Sequence, residues 1–209
     1  MKQMLILSII MVFTGSVQAQ ELKSVALLNP DKKRGLPLME ALDVRASVRE
    51  WSPEKLSLQD LSDLLWAANG INRPAEGKRT ASSAMNAQDI DIYVFMDDGI
   101  YPYDAPKHVL NQVVTGDYRD LSGKTDAPVN LVLITDISKF RAGNDSLKIG
   151  WGNIDAGIVS QNISLFCSAT GLKTRPRASF PGAEKIRELL KLKGSQYILL
   201  NHPVGYKKK

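Results

Sequence analysis

The sequence predicts an α+β fold, with helices packed around a central sheet. Three observations lead there. From Gly150 to Thr170 the residues Ile154, Ile158, Asn162, Leu165, Phe166 and Ala169 recur at helical spacing. Asp89 to Met96 (DIDIYVFM) alternates and then becomes continuously apolar, and 129–135 (VNLVLIT) has the composition of a buried strand. The strands do not alternate regularly with helices, which argues against a doubly wound parallel sheet.

The elements follow in chain order. Residues 1–19, MKQMLILSIIMVFTGSVQA, carry Lys2, an apolar run from Met4 to Phe13, and small residues up to Val17-Gln18-Ala19. That is the layout of a secretory signal peptide, and the run is shorter than the ~20 residues a membrane-spanning helix needs. Cleavage is expected after Ala19, giving an exported product, periplasmic or secreted, without stable membrane insertion. Residues 20–35 are then an N-terminal extension and 36–209 one domain.

Leu38, Leu42 and Ala46 mark a short helix in 36–46. In SPEKLSLQDLSDLLWAANGI, Ser57 is placed to cap a helix, with Asp60 at the third position. Leu58, Leu61, Leu64, Leu65 and Ala68 form its apolar face, and Gly70 ends it. The polar stretch 73–88 reads as loop entering a short helical turn. Asp97-Asp98-Gly99 is a hairpin signal between DIDIYVFM and IYPYD. His108 to Val114 is expected to be helical. After the 150–170 helix, with Gly171 as its C-cap, come a second short helix in PGAEKIRELLKL and a closing strand in SQYILLNHP.

Charge and composition exclude several functions. The formal charge of +5 includes Lys2 and the terminal Lys207, Lys208 and Lys209, an excess too small and too terminal for nucleic-acid binding. Cys167 is the sole cysteine and His108 and His202 the only histidines, so an internal disulfide is impossible and a zinc site has too few ligands. No phosphate-cradling glycine loop, serine-hydrolase elbow or zinc-protease motif is present.

Four segments carry candidate chemistry. In RASVREW, residues 45–51, Arg45, Ser47 and Arg49 alternate, which suits an anion grip and equally a solvated surface. SSAMNAQ offers the amides of Asn86 and Gln88 to a planar ring, or to a turn. In GLKTRPRASF, Pro176 stiffens a loop that offers backbone N–H groups to a ligand edge, or merely connects two helices. PVGYK delivers Gly205 and Lys207 to one spot at the end of a strand.

Together, in this order, the four segments resemble the nitroreductase family of FMN-dependent oxidoreductases over about 36–207. GIYPYDAPKHVL and DAGIVSQNISLFCSATGL look most like its SagB-type dehydrogenase subgroup. The resemblance implies a nitroreductase-like fold, a central mostly antiparallel sheet flanked by helices in a domain-intertwined homodimer with FMN at the interface. It implies that Arg45 and Ser47 hold the phosphate and ribityl end, with Arg49 near the pyrimidine edge of the ring. It further implies that Asn86 bonds the ring edge and that Pro176, Arg177, Ala178 and Ser179 lie over the flavin. Lys207 becomes a third phosphate charge.

The activity implied is ping-pong hydride transfer through flavin N5, from a reductant to a small organic acceptor such as a nitro compound or quinone. The alternatives are a SagB-like peptide-heterocycle dehydrogenase and a flavin-binding protein without turnover. Arg177 is the preferred substrate-side residue. Sequence leaves open whether Tyr101, Tyr103, His108 and Arg175 line the pocket.

Overall fold

The computed structural model describes residues 22–208; the expected signal peptide, 1–19, falls within 1–21, which with Lys209 lie outside the described residues. The architecture is α+β. Its main sheet comprises β1 (Ser24–Ala26), β4 (Ile90–Met96), β5 (Gly99–Asp104), β6 (Val109–Asn111), β7 (Val114–Thr115), β8 (Val129–Asp136), β9 (Lys173–Thr174) and β10 (Gln196–Gly205). The order is β1-β6-β5-β4-β8-β10-β9, with β7 also on β5, and every paired neighbour is antiparallel. A separate ribbon pairs β2 (Ile71–Arg73) with β3 (Lys78–Arg79).

Both faces of the sheet are covered, which explains the unbroken apolar run in β8. Val129, Leu131 and Leu133 face one core with Ile90, Ile92 and Val94 of β4. This side is roofed by helices α2 (Leu58–Asn69) and α3 (Asp145–Thr170). Val132 and Ile134 face the other core with Phe95 and Ile100, under Ile186 of helix α4 (Ala183–Leu190). A strand buried on two sides has no polar face to show.

Helix α2 begins as expected: Ser57 Oγ accepts from the Asp60 backbone N–H at 3.0 Å. The DIDIYVFM–DDG–IYPYD hairpin is also present, with Met96 paired to Gly99 across a two-residue loop. Helix α3 ends at Gly171 in the left-handed conformation. It starts at Asp145, five residues before the expected Gly150, because Asn144 caps it by accepting from the Leu147 N–H at 2.9 Å. Residues 84–86 form the expected helical turn, while part of the stretch read as loop forms the β2–β3 ribbon.

His108–Val114 is corrected from helix to strand. Leu110 is fully buried, paired with Tyr103 on one side and Val25 on the other. A helix there would forfeit both ladders. The chain turns just before β6, at His108 with φ +53°.

Residues 22–35 run across the domain as a strap. β1 extends the sheet beyond β6, and Leu28 N–H donates to Ser62 Oγ and Asp31 N–H to Asp63 Oδ1. Arg34 spans Asp60 (2.6 Å) and Asp63 (2.8 Å). No helix among the described residues is long and apolar enough to cross a membrane.

Candidate functional site

The basic stretch leaves α1 (Leu38–Val44) at Arg45 in extended conformation, which lets the residues after it pair with strand backbone. Ser47 bridges Thr174 of β9 in parallel, with Val48 N–H donating to Thr174 O at 3.2 Å. Trp51 bridges Lys207, Ser52 N–H donates to Tyr206 O at 3.0 Å, and the buried Trp51 indole donates to Lys173 O at 2.9 Å. β9 in turn pairs with the end of β10, Gly205 opposite Lys173. Gly205 must be glycine there: a Cβ would lie 2.7 Å from Pro128 Cδ. RASVREW, GLKTRPRASF and PVGYK thus become one sheet edge.

Along that edge Arg45, Ser47, Arg49, Pro176, Ala178, Ser179 and Lys207 are exposed. Among the described residues no carboxylate lies within ion-pair distance of Arg45, Arg49, Lys173, Arg175 or Lys207. The backbone N–H groups of Ala178 and Ser179 also have no acceptor among them. Arg175, to which the sequence assigns no role, stands out on this edge. Its Nε is buried without a partner, a costly arrangement unless a ligand supplies an acceptor.

Arg177 is differently employed. Its backbone exchanges hydrogen bonds with Asn201 (2.9 and 2.8 Å), and its Nε donates to Asn201 Oδ1 at 2.7 Å. The fork donates to Lys124 O and Gly123 O, both at 3.2 Å. Burial and then the charge of Arg175 lower its pKa. Its side chain braces the loop, so a ligand over this loop meets Arg177 through its backbone. His202 lies beneath, bonded to Thr174 Oγ1 (3.2 Å) and Ser160 Oγ (2.8 Å). Burial first, and Arg177 second, hold its pKa down to about 3, which makes it a neutral tie between β10 and α3 rather than a proton carrier.

The Asn86 segment is held elsewhere. Ala84 N–H donates to both Asp155 oxygens (3.1 and 2.9 Å), Arg141 donates to Met85 O, and Arg79 Nε to Gln88 Oε1. Met85, Asn86 and Gln88 all have φ of 50–54°. Among the described residues no hydrogen bond joins this segment to the basic edge, so the single chain brings together three of the four segments.

Against known proteins, the family model "Nitroreductase family" matches residues 42–206. The chain belongs to the nitroreductase family. A curated relative from Methanocaldococcus jannaschii, assigned to the nitroreductases, is 30% identical over 186 residues, covering 82% of this chain and 92% of that one. A crystal structure of a Ralstonia eutropha protein so assigned superposes with TM-score 0.83 at 32% identity, over 89% of this chain and 90% of its own. The E. coli microcin synthetase complex aligns with TM-score 0.69 at 18% identity, over 88% and 78%, a likeness of fold alone. As a member of the nitroreductase family the chain is an oxidoreductase. It shares the family's antiparallel sheet and flanking helices.

Proposed function

We propose that this nitroreductase-family protein is an FMN-dependent oxidoreductase working as a homodimer, with the flavin on the basic edge. One observation carries the reading: cations without counter-ions stand beside unpaired backbone donors and the orphaned Arg175 Nε. A phosphate at one end and a ring rich in hydrogen-bond acceptors at the other match that donor set. Arg45, Ser47 and Lys207 would hold the phosphate and ribityl end. Arg49 would stand at the pyrimidine edge, and the N–H groups of Ala178 and Ser179 would meet the ring.

When bound, the flavin supplies hydride transfer at N5, taking two electrons from a reductant and passing them to a small organic acceptor such as a nitro compound or quinone. The chain orients and charges the site. Arg49 favours negative charge on the ring edge, and Pro176 stiffens the covering loop. With His202 held neutral, the residues of this edge include no poised acid-base pair.

The dimer accounts for apolar surface the fold leaves open. On α1, Met39 is 75% exposed with Leu38, Leu42 and Val44 also exposed, and on α3 Ile154 is 64% exposed. An adjoining groove of about 450 Å³ is lined by Leu36, Leu38, Trp66, Leu165 and Phe166. Across such an interface Asn86 of the partner subunit would reach the basic edge, a contact the single chain does not make.

The test is a visible spectrum of the purified protein with its sedimentation behaviour. A yellow dimer bleached by an organic or nicotinamide donor is expected. A colourless protein that refuses added FMN refutes the flavin reading, and a yellow one bleached only by dithionite indicates binding without turnover. Replacing Arg45 and Ser47 together by Ala should weaken flavin retention by roughly 1.5–3 kcal/mol per charged bond lost.

Two finer points also belong to this proposal. The SagB-type alternative rests on GIYPYDAPKHVL and DAGIVSQNISLFCSATGL and predicts dehydrogenation of a peptide heterocycle in the presence of partner proteins. Export rests on residues 1–19 alone, and fractionation of cells expressing the full chain tests it.

A further inference from the structure

Two carboxyls meet beneath the Asn86 segment. Asp89, at the foot of β4, is fully buried and Asp155, on α3, is 3% exposed. Asp89 Oδ2 accepts from Thr135 Oγ1 at 2.5 Å, while its Oδ1 is buried with no donor among the described residues. Asp155 faces it and accepts the Ala84 N–H on both oxygens. The approach is possible because residue 152, one turn before Asp155, is glycine: a Cβ there would lie 2.6 Å from Thr135 Oγ1.

No cation among the described residues pairs with either acid. Lys139 is engaged with Asp91 at 2.8 Å and also donates to Gln88 O. Arg141 is turned to Met85 O. Arg79, from β3, spends its Nε on Gln88, although its charge is felt at Asp89. Asp91 and Asp136 add further negative charge nearby, and Asp136 N–H donates to Asp89 O. Two ionised carboxylates in contact in such a place would repel with no ion pair to offset it. A proton between them gives Asp89 Oδ1 its missing partner.

We propose that Asp89 and Asp155 share a single proton, and that the pair so joined is the positioning element that keeps the Asn86 segment in its left-handed winding. Three non-glycine residues of that segment have positive φ, which persists only where surrounding contacts over-determine it. The Ala84 N–H clamp on Asp155 is the contact tying the segment to α3. If both acids ionise, Asp155 turns from Asp89 and the clamp loosens. Any bearing on a ligand rests on the proposed flavin role of Asn86; the shared proton does not.

The test needs no flavin. In protein labelled with 13C-aspartate, infrared difference spectra should show one protonated carboxyl at about pH 6, lost in both Asp155→Asn and Asp89→Asn. Amide exchange at 84–88, corrected for intrinsic chemistry, should rise about tenfold per unit of pH as the pair ionises and then level off. Asp155→Asn keeps a donor toward Asp89 and an acceptor for Ala84, so its exchange should stay flat. Absence of the carboxyl band in the wild type, which requires no variant, overturns the proposal. So does the same pH-dependent opening in Asp155→Asn, or a stoichiometric metal ion that leaves with that substitution.

Discussion

His202 offers a measurement with a sign set by burial. In the folded protein its pKa is held at about 3, against 6.5 for the exposed ring, so below 6.5 the unfolded chain takes up a proton that the folded one refuses. Stability from this residue is fully present above pH 6.5 and falls as the pH drops toward 3. At pH 5, about 1.5 units below the reference, the loss is about 2 kcal/mol at ~1.36 kcal/mol per unit. Asp155 works against it: burial, then Asp89, raise its pKa to about 7, so its contribution is lost as the pH rises from the ordinary carboxylate range through 7. The two slopes oppose between pH 5 and 7, and the wild type alone will look nearly flat. The assay is therefore urea unfolding of wild type and His202→Gln at pH 5, 6 and 7. The variant should gain about 2 kcal/mol relative to wild type between pH 7 and 5. His108, also lowered by burial, is common to both proteins and cancels. A difference that stays constant with pH would show that the buried imidazole is not the group refusing the proton.

Other substitutions probe separate parts of the structure. Ser57→Ala removes the cap of α2 and should cost about 1 kcal/mol, read as a lower urea midpoint with unchanged slope. Gly152→Ala must push α3 away from Thr135 and should cost roughly 1–3 kcal/mol while raising amide exchange at 84–88. Arg49→Leu should lower the flavin's reduction potential and leave its retention largely intact, which potentiometry on the yellow protein would check; an unchanged potential would remove Arg49 from the ring edge.

Local chemistry was readable in the sequence, and long-range pairing was not. Ser57, the Asp97-Asp98 turn and Gly171 announced their elements because caps and turns are decided by a few adjacent residues. Val109, Leu110, Val113 and Val114 imitate a helical face, and only β5 and β1, which sequence cannot bring near, make strands β6 and β7 of the segment around Val113. The start of α3 was missed because its first residues lack an apolar period and Asn144 alone marks them.

The same limit applies to the site. RASVREW displayed its side chains, but its backbone partners Thr174 and Lys207 lie over 120 residues away. The orphaned Nε of Arg175 is a property of packing, and the Asp89–Asp155 contact joins residues 66 apart. Arg177 looked like a free cation until Asn201 and the 123–124 backbone were found to hold it.

Asp60 receives Arg34 from one end of the described chain and the Tyr206 hydroxyl, at 2.5 Å, from the other. A ribosome releases these groups in sequence, so the ion pair that fastens the leading strap can form first and the tyrosine hydroxyl joins the same carboxylate later. β10, seated between β8 and β9, arrives equally late. The main sheet therefore stays open beside β8 until β10 is made. Whatever machinery handles the nascent chain meets an open sheet until β10 emerges, although the strap can already be tied to α2.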